Sequence, residues 1–247
     1  MKRFFVITLL FLSVACKEKP KTNFTAQEIV DKSIEDSGGS LYDNHGTSFL
    51  FRDRKYISES IGGRKVLKRI SFLDTVTITD VKTNTAFKRY MNDTIVNISD
   101  SIANRYANSV NSVHYFARLP FGLNDKAVSK ELLGEETIKG KNYYKIKVTF
   151  DQNNGGEDFD DVYVYWYNTE TFKPDYLAYD FHVNGGGQRF REAYNERYVN
   201  GIRFVDYNNY KAKTKETSVF ETGNLFEKGE LELLSKIELS EIEVTKN

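Results

Sequence analysis

Two clusters in this chain carry residue types that could do chemistry. Glu157, Asp158, Asp160 and Asp161 form an acidic run. Carboxylate oxygens of this kind suit a hard cation such as Ca²⁺, but the spacing is not that of a twelve-residue EF-hand loop. A solvated hairpin tip is the reading preferred here, and no metal site is expected. Gly185-Gly186-Gly187-Gln188-Arg189 could cradle an anion with backbone N–H groups, assisted by Arg191. No helix start follows it, so a hairpin loop is the simpler account. Arg189, Arg191, Ala193, Asn195 and Arg197 share one strand parity. They could line a polar pocket with Asp158 and Asp161, the seat of an envelope enzyme. Paired with Asp158 or Asp175 they make a surface ion-pair ladder, which is the expectation adopted. His45, His114 and His182 stand far apart, with no Ser or Cys nucleophile in a recognisable context. No catalytic motif is present, no cofactor is implied, and the balance leans away from an enzyme.

The aromatics carry more information. Tyr143, Tyr144, Tyr163, Tyr165, Trp166, Tyr167, Tyr176, Tyr179 and Phe181 crowd the second half of the chain. Adjacent residues of a strand point to opposite faces, so Tyr165-Trp166-Tyr167 must serve both. Some of these rings pack the core. Others could line a cavity for an apolar small molecule or lipid, with phenolic hydroxyls at its edge. The residues expected to line it are Tyr106, Val110, Phe121, Tyr165 and Tyr179. The competing account is a glycan- or protein-binding surface built from outward aromatics.

Cys16 is the single cysteine, which excludes internal disulfides and CxxC sites. It follows Met1-Lys2-Arg3 and an apolar run over residues 4–14. That run is too short for a ~30 Å hydrocarbon core, which needs roughly 20 helical residues. It fits the apolar region of a secretory signal. Ser13-Val14-Ala15 lead into Cys16, which resembles a bacterial lipoprotein signal, although Ser13 stands where Leu is usual. The reading is a signal peptide over 1–15, an acylated Cys16 as the membrane anchor, a polar tether over 16–23, and one domain over 24–247. The expected address is the cell envelope, lipid-anchored at the outer membrane. An ordinary signal peptide that happens to contain a Cys is the alternative.

The elements that must position these residues follow from periodicity. Thr25 and Glu28 have capping-box spacing, and Ile29, Val30 and Ile34 form a stripe, predicting a helix over 25–37. From Gly46 the period becomes two: Phe49 and Phe51, then Val66, Lys68, Ile70 and Phe72 on one face, then Val76 and Ile78, then Phe87, Arg89 and Met91. Ile102, Tyr106, Val110 and Val113 predict a second helix over 99–116, N-capped by Ser99. A packed loop follows over 117–123. Strands resume over 143–150, 162–167, 176–183, 189–199 and 202–213, and one or two more close the chain over 231–244. Asn200-Gly201 is the clearest hairpin signal. The chain of 247 residues is 40% hydrophobic and carries 35 basic and 35 acidic side chains. That balance offers no field for nucleic acid. The fold class expected is mainly β (α+β): a large curved antiparallel sheet or half-barrel wrapped around an amphipathic helical plug. The aromatic strands of the second half are the partner expected for that helix.

Several segments together carry a family resemblance. They are Ser112-Val113-His114-Tyr115-Phe116-Ala117-Arg118-Leu119-Pro120-Phe121-Gly122-Leu123-Asn124-Asp125, then Gly155-Gly156-Glu157-Asp158 with Tyr165-Trp166, then Asp175-Tyr176-Leu177-Ala178-Tyr179. Gly185-Gly186-Gly187-Gln188-Arg189-Phe190-Arg191-Glu192-Ala193 completes the set. They resemble an uncharacterised family of secreted lipoproteins of Bacteroidetes-type bacteria, over about residues 26–213. The resemblance implies a fold similar to lipoprotein-carrier (LolA/LppX-like) proteins, a curved sheet around a helical plug with an apolar cavity between. Some members of that family are labelled deoxyribose-phosphate aldolase. Such an aldolase resembles a (β/α)₈ barrel with a Schiff-base lysine, and the alternating βα pattern is missing here.

Overall fold

The computed structural model describes residues 23–151, 160–182, 185–214 and 217–246. The signal peptide, Cys16, most of the tether and Asp158 lie outside the described residues. Two helices, α1 (Ala26–Asp36) and the single turn α2 (Leu41–Asn44), precede six strands: β1 (His45–Phe51), β2 (Arg54–Ile61), β3 (Arg64–Leu73), β4 (Val76–Lys82), β5 (Phe87–Met91) and β6 (Thr94–Val96). Helix α3 (Asp100–Ala117) follows, then β7 (Val128–Ile138), β8 (Lys141–Phe150), β9 (Tyr163–Asn168), β10 (Pro174–Phe181), β11 (Gly187–Val199) and β12 (Ile202–Ala212). A short α4 (Thr222–Glu227) leads to β13 (Leu231–Ile237) and β14 (Ser240–Lys246).

The mainly β, antiparallel class holds, but the strands form two seven-stranded sheets rather than one. The first runs β14-β1-β2-β3-β4-β5-β6 and the second β13-β12-β11-β10-β9-β8-β7. Twist accumulates across a sheet, and one open sheet of this many strands would curl or split. The chain splits it twice. Helix α3 takes it from β6 to β7, and the step from β13 to β14 carries it back to pair with β1, His45 opposite Lys246. Neither sheet closes into a barrel.

Thr25 and Glu28 make the expected capping box. The Thr25 Oγ1 accepts from Glu28 N at 3.2 Å, and Glu28 Oε2 accepts from Thr25 N at 2.8 Å. Ile29 and Val30 are fully buried beneath this helix. Helix α3 starts after Ser99, whose side chain makes no cap bond. Val110 and Val113 are buried, while Ile102 and Tyr106 are half-buried. The expected partner of α3 is corrected: the helix packs on β3, β4 and β5 of the first sheet. Its C-terminal end reaches the second sheet, where Tyr115 meets Phe150 edge-on at 6.2 Å. The loop after it carries a 3₁₀ turn over Phe121–Asn124 with Leu123 fully buried.

Two cores result. The larger joins both sheets: Phe49, Phe51, Tyr56 and Val244 from the first, and Ile146, Tyr165, Tyr167, Leu177, Tyr207 and Ile237 from the second, with Ile29 and Val30 of α1. The smaller lies on the other face of the second sheet. There Tyr143, Trp166, Tyr176 and Phe190 pack under Val219 and Phe226 of the α4 region. Strand alternation thus sends Tyr165 and Tyr167 to one core and Trp166 to the other, and all three are buried.

Candidate ligand cleft

Cross-strand register lays out the face of the first sheet beneath α3. One row reads Phe49, Tyr56, Arg69, Asp80, Arg89 across β1 to β5. The next row toward the hairpin tips reads Phe51, Arg54, Ser71, Ile78, Met91. Val66, Lys68, Ile70 and Phe72 share the opposite face of β3, as their spacing predicts, and Phe72 is 61% exposed. The buried charged residue on β3 is Arg69, at 4%. Its face is stabilised by ion pairing: Asp80, 1% exposed, accepts from Arg69 at 2.6 and 3.0 Å and from Arg89 at 2.7 and 3.0 Å. Arg69 also donates to Ser109 Oγ of α3 at 2.8 Å. The Arg89 guanidinium lies 3.5 Å from the Tyr106 ring centroid, and hydrogen bonding to Arg89, together with its positive charge, holds the Tyr106 hydroxyl below its ordinary pKa.

Between the hairpin tips and α3 these rows leave an open cleft of about 640 Å³. Arg52, Arg54, Arg69, Arg89 and Arg105 supply its charge, and Phe72, Leu73, Ile78 and Tyr106 its apolar wall. Arg52 sits 5.0 Å over Phe51 and Arg105 5.8 Å over Tyr106. Among the described residues Arg52, Arg54 and Arg105 pair with no carboxylate. Of the five residues expected to line a cavity, only Tyr106 is here. Val110 and Tyr165 are fully buried. Phe121 stacks on Tyr42 at 4.6 Å, and Tyr179 on Tyr163 at 5.3 Å. The five do not converge on one cavity. Burial holds the Tyr165 and Tyr167 hydroxyls well above the ordinary phenol pKa.

The arginines of β11 do not act as one ladder: Arg197 pairs with Asp206 at 3.0 Å, while Asp158 lies outside the described residues. Arg189 and Arg191 meet no carboxylate among the described residues. Leu177 of the larger core stands opposite Arg191, so this parity faces inward, away from exposed acids. Arg191 donates to the Tyr179 hydroxyl at 3.0 Å and lies 5.3 Å over Phe116, while Arg189 stacks 4.7 Å over Phe181. Asp175 accepts from the Tyr143 hydroxyl at 3.2 Å. Asp161, buried, accepts from His182 Nδ1 at 3.3 Å, and Asp160 lies 3.5 Å from the same nitrogen. The hydrogen bond to Asp161 raises the His182 pKa. The ligand atoms of Asp160, Asp161 and His182 lie within 4.8 Å of one another, a grouping that sequence spacing does not show.

The cleft arginines escape a reading of the sequence because strand parity alone does not say which face is covered. The available signal is a single charge amid the parity of Leu67, Arg69 and Ser71 on β3, matched by the opposite charge in that of Ile78 and Asp80 on β4.

Fold and cleft together define an open, two-sheet antiparallel β protein with a helix laid across a basic cleft. The model of the Family of unknown function (DUF6503) matches residues 51–239, and the chain belongs to that family. No curated protein sequence matches the chain. Among solved structures it is similar to a LolA superfamily protein from Nitrosomonas europaea, at 14% identity over 89% of this chain and 93% of that one, with a TM-score of 0.49. It is similar to a DUF1329 family protein from Desulfovibrio piger at 10% identity, over 89% and 92%, with a TM-score of 0.47. It is also similar to the lipoprotein LppX of Mycobacterium tuberculosis at 12% identity, over 65% and 90%, with a TM-score of 0.27. At these identities and TM-scores the likeness says nothing of ligand or partner. No helix among the described residues is long and apolar enough to cross a membrane.

Proposed function

We propose that this chain is a cell-envelope lipoprotein, anchored at the outer membrane through a lipid on Cys16, that holds an amphiphilic ligand between α3 and the first sheet. The observation that supports the ligand reading is the cleft itself. Its volume of about 640 Å³ falls within the range of small-molecule sites, roughly 300–1,000 Å³. Phe72 and Leu73 stand 61% and 57% exposed at its edge. Large apolar side chains left in water beside a cleft mark a surface that gains by being covered. The apolar body of a ligand would lie against Leu73, Ile78 and Tyr106.

The test is titration of purified protein with a neutral fluorescent amphiphile, N-phenyl-1-naphthylamine, alongside native mass spectrometry. Saturable binding is expected, weakened at least tenfold by Leu73→Glu, a substitution at an exposed position that leaves the circular dichroism unchanged. Absence of saturable binding would remove the ligand reading and favour a glycan- or protein-binding surface. The anchor is tested separately: Cys16→Ser should leave the protein unprocessed or release it from membranes. A soluble wild-type protein with a free Cys16 thiol would overturn that part.

A further inference from the structure

We propose that the cleft selects amphiphiles bearing an anionic group, which Arg52, Arg54 and Arg105 hold at its mouth. This rests on the reading of the cleft as an amphiphile site. The whole chain has a formal net charge of +0, yet the cleft concentrates five guanidiniums. Asp53 in the lining and Asp80 behind it are set against them, which leaves three positive charges in excess.

The excess is not confined to solvated side chains. Asp80 is a single carboxylate shared by Arg69 and Arg89, which are 4% and 15% exposed. A buried group of two cations and one anion keeps an uncompensated charge where solvation is poor. An anion that faces this group across the cleft is attracted more strongly than in bulk water, because the field is screened less. Arg52, Arg54 and Arg105 are exposed and pair with no carboxylate among the described residues, and guanidinium presents a flat fork that matches carboxylate or phosphate oxygens two at a time. Asp80 and Tyr106 meanwhile hold Arg89 in place, so the cationic wall is preformed. Cations at the mouth and apolar residues along the wall describe a ligand with a charged head and a greasy body. The shared chemistry is an anionic oxygen group on an acyl chain, supplied by a fatty-acid carboxylate or a lipid phosphate.

The test is displacement of N-phenyl-1-naphthylamine from purified protein by ligands with the same oleoyl chain. Oleate and 1-oleoyl lysophosphatidate should each displace the probe at concentrations at least about tenfold below 1-oleoylglycerol. A preference for both assigns any acyl anion, and a preference for one alone assigns carboxylate or phosphate as the source. Within the double variant Arg54→Gln/Arg105→Gln, the advantage of the anions over 1-oleoylglycerol should fall at least about threefold from its wild-type ratio. Raising salt from 50 to 500 mM should shrink the preference more in the wild type than in the variant. Equal displacement by charged and neutral ligands would overturn the inference and leave the amphiphile reading standing. No displacement by any oleoyl ligand would overturn both. Inorganic phosphate competing as well as lysophosphatidate would show a simple anion site and overturn the amphiphilic selection.

Discussion

Asp80 holds together the charged face of the first sheet, since both Arg69 and Arg89 donate to it. Removing its charge leaves two guanidiniums facing each other with little water. Breaking a buried ion group from one side costs about 3–5 kcal/mol, so Asp80→Asn should lower unfolding stability by that order in urea denaturation. An unchanged midpoint would mean that the arginines turn outward and are hydrated. His114 is the second residue whose burial has a measurable consequence. Its Nε2 lies 3.1 Å from the Lys68 carbonyl, and Phe49 and Tyr56 present their rings to it. Because a carbonyl only accepts, Nε2 carries the proton and donates. Burial pushes the pKa down to about 4, with Lys82 acting in the same direction and the Lys68 carbonyl against it. The unfolded chain takes up the proton near pH 6.5, so between there and about pH 4 it binds more protons than the fold. This contribution to stability is therefore complete above about pH 6.5 and is lost as pH falls toward 4, by up to about 3 kcal/mol. His114→Gln, which keeps a donor for the Lys68 carbonyl, should be less sensitive over that window. Denaturation at pH 7, 5.5 and 4.5 checks it, and equal slopes in the two proteins would place the acid lability elsewhere.

At the scale of elements, what can be read from the sequence depends on whether the signal is local. The α1 boundary rests on Thr25 and Glu28, three residues apart, and needs nothing from the rest of the fold. Hairpin strands β11 and β12 follow from Asn200-Gly201 in the same way. Strand β7 escapes the periodicity because its register shifts between Leu132 and Gly134, which flips parity midway and breaks the apolar alternation. The inward face of β3 is hidden from the sequence because Arg69 is tolerated there only through Asp80 on β4, a pairing that depends on cross-strand register. Helix α4 is short, with no sequence periodicity to show it, yet it covers the outer aromatic core. Its Gly223 makes the packing possible: a Cβ there would come within 2.9 Å of the Trp166 ring and would also meet the Glu136 carboxylate. Trp166 donates to Glu136 at 3.2 Å, and Lys145 pairs with the same carboxylate at 2.7 Å. Gly223→Ala should therefore push α4 off the sheet. Overpacking of this kind costs about 1–3 kcal/mol. Trp166, the only tryptophan in the chain, should shift its emission to the red as water enters. A variant with wild-type emission and stability would show that α4 gives way without exposing the ring.

Over the whole molecule, the cleft and the tryptophan report on opposite parts. The cleft belongs to β2 to β5 and α3, while Trp166 lies on the far face of the second sheet. The two sheets are joined through the larger core, where Phe49 and Tyr56 of the first share one apolar cluster with Tyr165 and Tyr207 of the second. Strands β13 and β14, adjacent in sequence, end in different sheets and tie them covalently. Neither sheet can lose this core without exposing the inner face of the other, so the expectation is one cooperative unit over 24–247. Trp166 emission should then follow the same thermal transition as backbone circular dichroism. A ligand that binds only the folded form adds about 2.7 kcal/mol at a hundred times its Kd. For a domain of this size each kcal/mol raises Tm by about 2–4 °C. Saturating oleate in the first sheet should thus raise the Tm reported by Trp166 in the second by about 5–10 °C. If the circular dichroism transition splits and the Trp166 midpoint stays where it was while oleate is demonstrably bound, the sheets unfold as separate units. The shared core would then be too weak to couple them.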